Sequence, residues 1–189
     1  MPQFSVITLY LMRHAEAADL GALNNSGTAR DASRSLTDKG RRQARRMALL
    51  LKRLDVKIDR VLASPFTRAR ETAELIVSTL RLHTPIRTLD ELKPTGKEDA
   101  MWAALRETGD EGHLLVVGHL PSIANLAGSL LGSLAEEPLW FHKSSLAALH
   151  CDVREGRKPR VRLEWMISPA MAKRLASRHS TKRSTLQPE

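Results

Sequence analysis

Short apolar runs alternate with amphipathic stretches along most of this chain, and that alternation constrains its fold more than any other feature. The runs are Val6 to Met12, Arg60 to Ala63, Ile86 to Leu89 and Leu114 to Val117. Between the first two, Thr37-Asp38-Lys39-Gly40 opens a segment whose Ala44, Met47, Ala48, Leu51 and Leu54 recur at helical spacing, with arginines on the other face. Thr67 to Leu80, Glu98 to Glu107 and Pro121 to Leu131 read the same way, with Pro121 suited to a first turn and Gly132 to a C-cap. Strands alternating with helices of this length predict a mainly parallel sheet with helices on both faces, an α/β fold in three α/β/α layers.

Near the end the pattern changes. Leu146 to Val153, a turn from Arg154 to Pro159 and Arg160 to Met166 predict a hairpin of two strands. The second of these alternates Val161, Leu163 and Trp165 inward with Arg160, Arg162 and Glu164 outward. Gly21 to Ser35 is polar and aperiodic, which predicts a mobile loop. Residues 177–189 offer only Leu186 for burial, so the expected organisation is one domain over 1–176 and a basic, disordered tail over 177–189.

A chain of 189 residues, 42% of them hydrophobic, is long enough for one sizeable core. No stretch approaches the ~20 apolar residues that span a bilayer, and Met1-Pro2-Gln3 leads directly into a strand where a secretory signal would carry a charged and then an apolar region. The single cysteine, Cys151, excludes an internal disulfide and fits a buried small hydrophobe in a reducing compartment; the expected location is the cytoplasm. The net charge of +9 invites an acidic partner, but aromatics make up 4% and none interleaves with the basic clusters at Arg41 to Arg46 and Lys173 to Arg183. Stacking on nucleic-acid bases is therefore disfavoured.

The chemistry-bearing residues share one topological position. Arg13-His14 ends the first run, Ser64 to Arg68 follows the second through a turn at Pro65, and Gly118-His119 follows the fourth. Ligands of open α/β sheets bind outside the carboxyl ends of the strands, so Arg13, His14, Arg68 and His119 are expected to converge on one crevice. A pocket with that many cations is built for an anion. Arginine donors match phosphate oxygens in a fork and stay charged, and helix N-termini after Pro65 and His119 add N–H dipoles of the same sign.

Leu11-Met12-Arg13-His14-Ala15-Glu16, Ser64-Pro65-Phe66-Thr67-Arg68-Ala69-Arg70-Glu71-Thr72 and Val117-Gly118-His119 together resemble, in order and spacing, the three signatures of the histidine phosphatase superfamily. The short chain, Arg34 to Gly40, Asp90 to Pro94 and Met166 to Pro169 resemble the small SixA-type phosphohistidine phosphatases within it, over roughly residues 5–175. One departure is visible: Ala15 stands where the family has glycine, which asks only that the turn avoid positive φ.

The resemblance implies that neutral His14 attacks phosphorus, giving a phosphohistidine intermediate that water hydrolyses, while Arg13, Arg68 and His119 hold the equatorial oxygens. It implies no metal and no cofactor. The surrounding arginines should depress the pKa of His14. Arg34 corresponds to an arginine of the small phosphatases that touches phosphate or partner. Glu91, just after the third run, is a candidate general acid for an ester leaving group; a phosphoramidate needs less help.

Little room remains between Arg68 and His119 for elements that wall in small metabolites, which points to an open site and a phosphorylated, histidine-containing protein as substrate. The rival within the enzyme class is a phosphomonoesterase acting on a small phosphorylated metabolite. The rival from another class is a non-catalytic phosphoprotein-binding module. A monomer is expected. The remaining histidines lack paired metal spacing, and Thr95-Gly96-Lys97 lacks the earlier glycine of a phosphate loop. Cys151 to Arg157 has the Cys-x5-Arg spacing of cysteine phosphatases, but a strand follows where a helix would be required.

Overall fold

The computed structural model describes residues 4–19, 28–109, 111–132, 139–154 and 159–177. Strand β1 (Phe4–Arg13) is followed by the one-turn helix α1 (Thr28–Ala32) and the long helix α2 (Asp38–Arg53). Next come β2 (Arg60–Ala63), α3 (Thr67–Leu80), β3 (Ile86–Thr88) and a 3-10 turn at Asp90–Leu92. Then follow α4 (Glu98–Glu107), β4 (Gly112–Gly118) and α5 (Ser122–Leu131). The antiparallel pair β5 (Leu146–Arg154) and β6 (Arg160–Ile167) leads into α6 (Pro169–Ser177).

The sheet runs β3-β2-β4-β1-β5-β6, with β1 to β4 mutually parallel and β5 antiparallel to both β1 and β6. Parallel neighbours need a crossover, which the intervening helices supply, and that is why strand and helix alternate in the sequence. Leu9 and Leu11 face one layer with Met101, Leu105, Ile123 and Leu126 of α4 and α5. Tyr10 and Met12 face the other with Met47, Leu51, Ala73, Ile76 and Ala172 of α2, α3 and α6. Both faces of β1 are thus buried, so the strand reads as an almost unbroken apolar run. Leu9, Leu11 and Leu51 are fully buried; truncating such a side chain to alanine costs about 2–5 kcal/mol.

The helix termini follow their local chemistry. The Thr37 hydroxyl caps α2 by accepting from the Gly40 N–H at 3.0 Å. Gly132 closes α5 in the left-handed conformation at φ 74°. Pro121 lies one residue ahead of α5, at its cap. No helix among the described residues is long and apolar enough to cross a membrane.

Three expectations are corrected. A register shift in the β5–β6 pair sets Ala148 opposite Trp165 but Leu149 opposite Leu163, leaving Glu164 as an extra residue. Trp165 therefore packs on the Tyr10 side while Val161 packs on the opposite layer, and Leu163 is 40% exposed. Leu54 lies past the last turn of α2 as its C-cap and is exposed. The polar segment before Ser35 contains α1, too short to show a period; its part from 20 to 27 lies outside the described residues. The segment after Ser168 forms α6, and residues 178–189 of the expected tail lie outside the described residues.

Candidate active site

Arg13 ends β1 and His14 follows it, held by backbone bonds from three directions. The His14 N–H donates to the Gly118 carbonyl (3.0 Å), the Arg13 N–H donates to the Ser145 carbonyl (3.1 Å), and the Ser144 N–H donates to both the Arg13 and His14 carbonyls (3.1 Å each). Ser144 takes φ 68° to do so, a conformation uncommon outside glycine, and it is one of three such non-glycine residues described, with Asp55 and Arg81. Ala15 is not among them, so alanine fits the turn without strain.

The hydrogen bonds of His14 fix its tautomer. Arg68 Nε can only donate, and it lies 3.2 Å from His14 Nε2, so that nitrogen carries the lone pair. The proton is then on Nδ1, which donates to the Ala15 carbonyl at 2.7 Å. Burial lowers the His14 pKa to about 3, opposed by the Ala15 bond and reinforced by Arg68, Arg13 and Arg34. His14 is thus a neutral imidazole with a free electron pair turned toward a cation, the protonation state a nucleophile requires.

His119 lies beside it, with ring centroids 5.0 Å apart. Burial, then His14 and the three arginines, lowers its pKa to about 2. The Phe66 N–H donates to Ser64 Oγ at 3.4 Å, and the Ser64 hydroxyl shares a 2.8 Å hydrogen bond with His119 Nε2. His119 Nδ1 has no hydrogen-bond partner among the described residues. A buried ring nitrogen without a partner is rare and costly, and when it carries the ring proton it is a donor available to an anion. The Phe66 ring supports the arrangement by packing edge-on to His119 and lying 5.0 Å from the Arg68 guanidinium carbon.

Arg13 donates through Nη1 to the Phe141 carbonyl at 2.8 Å. Arg34 donates to the Ala18 carbonyl at 3.1 Å and pairs with Asp31 at 2.7 Å. The expected set of Arg13, His14, Arg68 and His119 is therefore brought together, with Arg34 at its edge. Glu91 is different. It stands half-buried on the turn after β3, and although the Leu92 carbonyl packs near Gly118, the Glu91 carboxylate makes no hydrogen bond or ion pair among the described residues.

Three further residues complete the framework. Thr72 Oγ1 accepts from the Ala15 N–H (3.0 Å) and donates to the Arg68 carbonyl (2.7 Å), tying the β1 turn to α3. Glu71 accepts from the Leu36 N–H at 2.7 Å. Asp31 accepts from Arg68. Thr72, Glu71 and Ser64 lay within the recognised motif without an assigned role, whereas Asp31 lay in an aperiodic segment that offered no signal.

A cleft of about 420 Å³ opens beside Arg13, lined also by Gln43, Trp140, His142 and Lys143, with no carboxylate in its lining among the described residues. Cys151 is fully buried in mid-strand, its thiol pushed up to about 12 by burial, so it is no nucleophile. No group of three metal-ligating side chains occurs among the described residues.

Comparison with known proteins agrees with this geometry. The family model of the histidine phosphatase superfamily (branch 1) matches residues 9–96. The phosphohistidine phosphatase SixA of Escherichia coli K12 is 34% identical over 167 residues, 87% of this chain and 96% of that protein. The phosphohistidine phosphatase SixA homolog of Haemophilus influenzae is 29% identical over 155 residues, 77% of this chain and 89% of its own. A solved structure of the protein histidine phosphatase SixA complexed with tungstate matches with a TM-score of 0.71 at 32% identity, covering 86% of this chain and 97% of that one. With likeness in sequence and fold running over nearly its whole length, this chain belongs to the histidine phosphatase superfamily as a phosphatase-type hydrolase similar to SixA.

Proposed function

We propose that this protein removes a phosphoryl group from phosphohistidine in a protein, through a phosphohistidine intermediate on His14. The observation that carries the reading is the lone pair on His14 Nε2, held neutral among Arg13, Arg34 and Arg68. That lone pair attacks phosphorus in line as the bond to the leaving nitrogen breaks; the leaving imidazole takes a proton from solvent. Water then attacks the phosphorus, the bond to Nε2 breaks, phosphate departs, and His14 returns to its neutral tautomer. Throughout, Nδ1–H stays on the Ala15 carbonyl and orients the ring. Arg13, Arg68 and His119 are the donors to the equatorial oxygens, with Arg34 a further cation at the edge. Loss of one such donor costs on the order of a hundredfold in rate.

Two observations support a phosphoramidate on a protein over a small ester. Glu91 stands apart from the hydrogen-bonded cluster, and imidazole leaves with less acid assistance than an alkoxide. The cleft beside Arg13 presents the cations Arg13 and Lys143 and the exposed ring of Trp140, suited to polypeptide flanking the phosphorylated residue. The relatives named phosphohistidine phosphatase and the tungstate complex of SixA, an oxyanion with the shape of phosphate, agree with the reading. In a cytoplasmic setting the partner is a phosphorylated signalling protein.

The test is phosphate release from a protein phosphohistidine and from p-nitrophenyl phosphate in parallel, with wild type and His14→Ala. The reading requires preference for phosphohistidine, abolition by His14→Ala, and an acid-labile phosphoenzyme on rapid quench. Preference for the ester moves the substrate to small phosphomonoesters and gives Glu91 a part as acid. Binding without turnover of either, unaffected by His14→Ala, makes the protein a phosphoprotein-binding module.

A further inference from the structure

The donors of Arg68 lead to a residue outside every recognised motif. Arg68 Nε points at His14 Nε2 (3.2 Å), Nη1 donates to the Asp31 carbonyl (2.6 Å) and Nη2 donates to Asp31 Oδ2 (3.0 Å). The other carboxylate oxygen, Oδ1, accepts from Arg34 Nη2 at 2.7 Å. One residue thus grips the outer end of Arg68 through backbone and side chain together and links it to Arg34.

The edges of the guanidinium decide what that grip does. Its fork is planar and rigid, so fixing the Nη1 and Nη2 end fixes the direction of Nε. Asp31 occupies only the outer end, and the edge toward His14 stays clear of it. The Arg68 side chain is 4% exposed while that of Asp31 is 31% exposed, so Asp31 closes the site from its solvent side. Buried guanidinium groups also repel one another, and a carboxylate between Arg34 and Arg68 offsets that repulsion.

We propose that Asp31 is a positioning residue for phosphoryl transfer, clamping Arg68 and Arg34 so that the Nε edge of Arg68 meets the phosphoryl group above His14. This rests on the reading of His14 as nucleophile. In the free enzyme the Arg68 Nε–H rests on the His14 lone pair. When a phosphoryl group enters between them, that N–H passes to an equatorial oxygen, the outer end of Arg68 stays on Asp31, and His14 Nε2 is released to attack. Misplacing a positioned group by about 1 Å costs on the order of a hundredfold in rate, and Arg68 without its clamp is free to shift by that much.

The test compares wild type, Asp31→Asn and Asp31→Ala for kcat and KM on p-nitrophenyl phosphate, for calorimetric affinity toward inorganic phosphate, and for thermal unfolding. The proposal expects kcat to fall by roughly tenfold to a hundredfold in Asp31→Ala with KM changed much less, weaker phosphate binding, and partial recovery in Asp31→Asn, which keeps one acceptor. If Asp31→Ala melts early, Asp31→Asn at equal stability carries the comparison. An unchanged kcat, or tighter phosphate binding with lower KM, overturns the proposal, because Asp31 would then merely compete with the phosphoryl group for Arg68. A wild type that binds phosphate but turns over neither ester nor phosphohistidine overturns the functional reading, and the role of Asp31 in transfer with it.

Discussion

Acidification should destabilise this protein through its two site histidines, and the size of the effect follows from their burial. His14 and His119 are held neutral, their pKa values lowered from an ordinary 6.5 to about 3 and about 2, with burial the largest cause for each. Below the ordinary value the unfolded chain binds protons at both positions that the native state refuses. Stability contributed by the neutral rings is therefore fully present above about pH 7 and is lost as pH falls from about 6.5 toward the native values. A depressed group forfeits about 1 kcal/mol one pH unit below its unfolded value, so the pair forfeits about 2–3 kcal/mol near pH 5.5. For a chain of this size that corresponds to roughly 5–10 °C in melting temperature.

The perturbation is His119→Gln, alone and combined with His14→Ala, with urea unfolding followed by circular dichroism from pH 8 to pH 5 in a buffer free of phosphate. The single variant should show about half the wild-type decline attributable to the site, and the double variant none of it. Parallel curves for wild type and double variant would refute the reasoning, since the rings would then titrate as exposed imidazoles and His14 would hold no protected lone pair.

Two substitutions test the supporting framework. A Cβ on Gly40 would lie 1.9 Å from the Glu16 carbonyl oxygen and 2.9 Å from its carbon; Gly40→Ala should therefore lose about 1–2 kcal/mol net, the overpacking exceeding the roughly 1 kcal/mol gain in helix propensity, and a raised melting temperature would refute it. Because the displaced segment holds the Ala15 carbonyl on His14 Nδ1, kcat should fall as well. Ser64→Ala removes the hydroxyl that hydrogen-bonds His119 Nε2; about tenfold loss of kcat/KM is expected at a stability cost of about 1–2 kcal/mol, and an unchanged kcat/KM would argue against the role of Ser64.

Most of the architecture was legible because it is written in local periodicity. The alternation of runs and helices marks β1 to β4 and α2 to α5, and parallel strands place whatever follows them at one edge of the sheet. Arg13, His14, Arg68 and His119 could therefore be assigned to one crevice without knowing which strand lies beside which. The β6 bulge was not legible, since Glu164 carries the same alternation whether or not the ladder slips past it; the pairing with β5 decides that.

The sequence by itself thus determined the layers, the edge that carries the chemistry and the charge of the pocket. Tertiary structure alone decided the order β3-β2-β4-β1-β5-β6, the proton position on His14, the bond between His119 and Ser64, and the clamp on Arg68. Those depend on contacts between residues far apart in the chain: 37 positions separate Asp31 from Arg68, and 128 separate Arg13 from the Phe141 carbonyl it holds. Local pattern reports which face a residue presents, whereas a pKa, a tautomer or a clamped guanidinium depends on what another segment brings against that face, and only the folded chain supplies it.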